Sequence, residues 1–159
     1  MKRFVKLGTA LAVAAGVSTV AYAQMKPEDA IRARQSIMRV TAVNWGPVGQ
    51  MAQDKIPFNK DVFVANSLRL EAVWATGANR FFIPGSDKAV AGSKIAGFTD
   101  AKGDVWSQSD KFKKAFDRNT EAIGKLAAAA RSGDEKAMKA AAGDVGKACG
   151  GCHDDFRAK

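Results

Sequence analysis

Cys149-Gly150-Gly151-Cys152-His153-Asp154-Asp155-Phe156-Arg157-Ala158-Lys159 ends the chain. Two cysteines three apart, with a histidine directly after the second, form the c-type haem attachment signature. Each thiol adds across a haem vinyl group and the histidine ligates iron. These are the only 2 cysteines and the 1 histidine in the sequence. On an α-helix at about 100° per residue, Cys149, Cys152 and His153 fall within roughly a third of the circumference, so one helix face can hold one flat macrocycle. A thioredoxin-like pair would follow a strand, whereas helical sequence precedes Cys149. Zinc needs ligands that a chain without a second Cys pair or second His does not supply. A disulfide between Cys149 and Cys152 would close a tiny loop and stabilise little.

The opposite end of the sequence agrees. Lys2, Arg3 and Lys6 precede an apolar stretch from Leu7 to Val20, and Ala21-Tyr22-Ala23 is an A-x-A cleavage site. Residues 1–23 read as a cleaved Sec signal peptide. The apolar stretch is too short and too rich in Ala and Gly for a stable membrane span. The expected location is the bacterial periplasm, with no membrane insertion after cleavage. Residues 24–159 then form one domain with a single core. Without the three leader cations the formal charge falls from +9 to +6. The remaining cations alternate with acids, as in Lys111-Phe112-Lys113-Lys114-Ala115-Phe116-Asp117-Arg118. That is the pattern of a solvated helix face and not of a nucleic-acid surface.

Periodicity divides the mature chain into four helices. The first runs from Lys26 to about Gln53. It opens on Pro27-Glu28-Asp29 and carries Ala30, Arg34, Ile37, Met38, Thr41 and Trp45 at three- and four-residue spacing. Gly46-Pro47 is expected to kink or interrupt it. Asn59 reads as the N-cap of a second helix that ends near Gly77, with Ala65, Leu68, Ala72 and Ala75 on one side. Residues 78–103 show neither period and read as a long loop whose Phe81, Phe82 and Phe98 pack on the bundle or shield the cofactor. A third helix from about Asp104 to Ala130 buries Phe112, Phe116, Ile123, Leu126 and Ala130, and Gly133 ends it. Asp134 caps the fourth, whose apolar line passes through Met138, Ala141, Val145, Ala148/Cys149, Cys152 and Phe156. The expected fold is all-α: an antiparallel four-helix bundle with one covalently bound haem near the C-terminus.

A haem motif at the very end of four helices resembles the class II c-type cytochromes, the cytochrome c prime family and its low-spin, methionine-ligated relatives. The resemblance rests on Val145-Gly146-Lys147-Ala148-Cys149 through Arg157, on Ala33-Arg34-Gln35-Ser36-Ile37-Met38, on Lys55-Ile56-Pro57-Phe58, and on Val105-Trp106 with Phe112. It implies that Cys149 and Cys152 bind haem, that His153 is the proximal iron ligand with Arg157 beside it, and that Arg34 pairs with a haem propionate. It also implies a homodimer packed through the first two helices. At the position facing iron from the first helix this sequence has Met38. The family's two branches give it two roles: a sixth ligand in an electron carrier, or an apolar guard over an open iron that binds nitric oxide or carbon monoxide. Met138 is 15 residues before His153 on one helix, roughly 22 Å away, so it cannot replace Met38 as a ligand. The expected function is periplasmic electron transfer, with gas binding the alternative and Met38 as mere core filler still open. No second histidine is present to support peroxide chemistry, so an enzyme is not expected.

Overall fold

The computed structural model describes residues 25–88 and 99–158, so the leader and Phe98 lie outside the described residues. The architecture is the expected bundle. Helices α1 (Pro27–Ala52), α2 (Lys60–Trp74), α4 (Ser109–Ser132) and α5 (Glu135–Phe156) pack in cyclic order, each against the next and α5 back against α1. A short helix α3 (Asp104–Ser107) and a 3-10 turn (Ala78–Phe81) lie in the connection between α2 and α4. Among the described residues there is no strand beyond one isolated backbone bridge, between Ala101 and Arg157.

Local chemistry explains the boundaries. Pro27 in the first turn, with Glu28 and Asp29 beside the positive helix end, starts α1. The Asn59 side chain accepts from the Val62 amide at 3.0 Å and caps α2. Asp134 accepts from the Ala137 amide at 3.0 Å and caps α5. Between α4 and α5, Gly133 sits at φ 73°, the left-handed conformation that ends helices, and its amide returns to Ala129 and Ala130.

Three expectations are corrected. Helix α1 is not interrupted at Gly46-Pro47 but runs unbroken to Ala52. The bond that Pro47 cannot donate would have gone to the Val43 carbonyl, and Val43 is 74% exposed, so water can take its place. Helix α2 ends at Trp74, short of Gly77, and buries Phe63, Ser67, Leu70 and Trp74, not the alanine line. Three larger side chains, Phe63, Leu70 and Trp74, outweigh the alanines, and the Ser67 hydroxyl buried with them is satisfied by the Phe63 carbonyl at 2.8 Å. The third helix is broken at Gln108 (φ −120°, ψ 46°), which separates α3 from α4. The break lets the Trp106 indole donate to the Ile83 carbonyl at 3.1 Å.

The buried faces of α4 and α5 follow the periodicity, whereas α1 buries Ile31 and Asn44 and leaves Ile37, Met38, Thr41 and Trp45 half-buried. Phe112, Phe116, Ile123, Leu126 and Ala130 of α4 are buried, as are Met138, Val145 and Phe156 of α5. The Trp74 ring packs on Phe116 at 4.8 Å between centroids, and its indole donates to Thr41 in the α1 stripe. Each such large side chain taken from water stabilises the bundle by about 1.5–3 kcal/mol.

Candidate haem site

The attachment residues lie in the last two turns of α5, where the bundle ends. Cys149 and Cys152 are half-buried free thiols packed against the core cluster, and His153 is exposed. Burial, reinforced by Cys152, pushes the Cys149 thiol up to about 11, and burial also raises Cys152. Thiols kept protonated at neutral pH are poor nucleophiles for disulfide exchange. The His153 pKa is lowered, first by desolvation and then by the Arg157 cation, so the imidazole is neutral with a lone pair free for a metal. Two apolar-facing thiols and one neutral imidazole on one helix face fit a covalently bound haem.

Helix α1 supplies the facing wall. An ideal Cβ at Gly146 would stand 3.6 Å from Trp45 Cζ2, which fixes where α1 and α5 touch. The helices are antiparallel, so seven residues back along α1 and seven forward along α5 both move about 10 Å in one direction, with little rotation. The step carries Met38 toward the His153 end of α5. Met38 is half-buried and is not part of the apolar core cluster.

One turn further, Arg34 is 4% exposed and surrounded by acceptors. Its guanidinium donates to the Phe81 carbonyl at 3.3 Å, to Ser86 Oγ at 2.7 Å, to the Ser86 carbonyl and to Thr99 Oγ1 at 2.7 Å. The rings of Phe82 and Trp106 lie 5.1 and 5.8 Å from its Cζ. Burial lowers its pKa to about 10 while Asp87 pulls it back up, so it remains a cation at neutral pH. These bonds occupy both terminal nitrogens with protein acceptors. A propionate meeting Arg34 would share it with Ser86 and Thr99.

Arg157, four residues after His153, is held by Asp100 at 3.2 Å. The sequence reading missed Ser86, Thr99, Asp100 and Lys102, which touch Arg34 or the end of α5. They belong to an aperiodic stretch, and their partners are 52 to 65 residues away in sequence. No local pattern could have announced them. The expected aromatic cover is present in Phe82, whose ring meets Phe112 at 4.7 Å.

Comparison with known proteins gives the site its context. A family model described as Cytochrome C' matches residues 29–157. The cytochrome c' of Rubrivivax gelatinosus is 41% identical over 134 residues, covering 84% of this chain and 98% of that protein. Its crystal structure superposes with a TM-score of 0.74 at 40% identity, over 84% of this chain and 98% of that one. A nitric oxide complex of a mutant cytochrome c prime from Alcaligenes xylosoxidans superposes with a TM-score of 0.71 at 32% identity, over 84% and 98%. The match spans the bundle and all three attachment residues, and the chain therefore belongs to the cytochrome c prime family, as a mono-haem c-type cytochrome.

Proposed function

We propose that this protein binds a neutral diatomic gas, nitric oxide or carbon monoxide, on the side of the haem iron that faces Met38. The observation that carries this reading is the combination of a half-buried Met38, on the helix that packs against α5, with a similar protein of known structure that holds nitric oxide. The haem supplies a metal that binds such gases; the chain supplies selection. A flexible thioether side chain on α1 crowds the approach and favours small uncharged ligands over larger or anionic ones. Among the described residues His153 stands alone as an imidazole, so no second one is at hand to move protons, and we read the protein as a binder and not an enzyme.

Met38 also supports a second reading. A thioether can close the sixth position, and the protein would then carry electrons with little change of coordination. Replacing Met38 with Leu separates the two. Under gas binding, the spectrum stays as it was and only the rate of nitric oxide association changes; under methionine ligation, a low-spin spectrum becomes high spin.

The same proposal places the protein in the periplasm, as one copy of a homodimer. The leader-like residues 1–23 support the location, and no helix among the described residues is long and apolar enough to cross a membrane. Val40, Val43 and Val62, 46%, 74% and 41% exposed on α1 and α2, support pairing through those helices. Sedimentation of a Val43→Lys variant at half the normal mass would agree, and a wild-type monomer would refute it.

A further inference from the structure

The last four carbonyls of an α-helix have no partner within the helix, and a buried or functional helix end needs them satisfied from outside. In α5 these belong to His153, Asp154, Asp155 and Phe156. The His153 carbonyl accepts from the Arg157 amide at 2.9 Å. The other three are all met by Lys102. Its ammonium donates to the Asp154 carbonyl at 2.9 Å and the Asp155 carbonyl at 3.2 Å, and its backbone amide donates to the Phe156 carbonyl at 2.9 Å. One lysine from a distant stretch of chain thus completes the end of the helix that carries His153, and places a cation at the negative end of its dipole.

The neighbours of Lys102 extend the attachment. Ala158 donates to the Asp100 carbonyl at 2.7 Å, and the Asp100 carboxylate takes the Arg157 guanidinium at 3.2 Å. Thr99 Oγ1 accepts from the Ala101 amide at 3.1 Å and from Arg34 of α1 at 2.7 Å. Residues 99–102 therefore join α1, one turn before Met38, to the last turn of α5.

We infer that residues 99–102 form a strap that positions His153, with Lys102 and Asp100 as positioning residues for the iron ligand and Arg34 as the anchor of the strap on α1. The inference rests on His153 being that ligand. Neither residue touches the iron or a bound gas. They act by holding the last turn of α5, and with it the height and tilt of the imidazole, against the pull of the metal. Without the strap the turn is an unsupported helix end, where helices fray.

The test uses the haem-loaded protein. In a variant carrying Lys102→Met and Asp100→Asn, haem remains attached. The iron–histidine stretching band in the resonance Raman spectrum of the ferrous form shifts or broadens, and the amides from Phe156 to Ala158 exchange about tenfold faster. Lys102→Arg, which keeps a cationic donor, restores both. An unchanged band and unchanged exchange in the double variant would overturn the strap. Should the double variant fail to fold, the pair Lys102→Met and Lys102→Arg decides by the same two measurements. A wild-type protein that is high spin when ferrous and yet has no iron–histidine band would remove His153 as ligand, and the positioning role with it; a low-spin ferrous form would instead mean that Met38 is bound, and the amide exchange alone would then decide. Fast exchange in the variant would then still report that the strap holds the helix end.

Discussion

Where α4 turns into α5, Met51, Phe63, Leu126 and Met138 from four different helices meet at 1% exposure or less. At the opposite end of the same helices, Cys149 and Cys152 are half-buried, His153 is exposed, a buried arginine is bonded to loop carbonyls and hydroxyls, and a loop lysine is bonded to the last carbonyls of α5. The first end is closed by apolar volume and short capped turns. The second carries half-buried thiols against the core and is tied down by hydrogen bonds from residues 81–88 and 99–102.

The contrast predicts different failures at the two ends. Cys149→Ala combined with Cys152→Ala removes all covalent haem, seen as loss of haem stain on a denaturing gel, while the helical signal of the bundle is retained in part. Met138→Ala does the reverse: haem stays attached, and urea unfolding shows a loss of about 2–5 kcal/mol from a cavity that rigid neighbours cannot fill. Arg34→Met lies between them. It strands the buried acceptors of Ser86 and Thr99, costs about 1–3 kcal/mol in the same titration, and loosens residues 81–88 and 99–102 without disturbing the sealed end.

Smaller effects sharpen the comparison. Asp134→Ala and Asn59→Ala each remove a cap at the sealed end and cost about 1 kcal/mol, with no change in the haem spectrum. A haem-free chain should respond to alkali through Cys149. Its thiol is raised in the fold from 9.0 to about 11, so folding favours the protonated form. That contribution to stability is complete below the unfolded value and is lost as pH rises toward about 11. With haem attached the thiol no longer titrates, and the loss should vanish; thermal unfolding across that range compares the two.

The sealed end was legible in the sequence and the haem end only in part. Ile123, Leu126 and Met138 at the first, and Phe112, Phe116 and Val145 toward the second, recur at helical spacing, and periodicity needs no knowledge of partners. Asn59, Gly133 and Asp134 announced turns because their chemistry is local. The α2 face was misjudged because alanines mark a helix without marking its buried side, whereas Phe63 and Trp74 have the volume that must be hidden. Cys149, Cys152 and His153 were legible because haem attachment fixes their spacing. Ser86, Thr99, Asp100 and Lys102 were not, since their meaning comes from Arg34 and from the end of α5, both remote in sequence.

The most direct test of the account is the optical spectrum of the exported protein, oxidised and dithionite-reduced, before and after nitric oxide. The account predicts a broad high-spin spectrum that shifts when the gas is added, with Met38 guarding an open iron. A sharp reduced α band, a far-red sulfur-to-iron absorption in the oxidised form and no response to nitric oxide would contradict it, and would make the protein a methionine-ligated electron carrier.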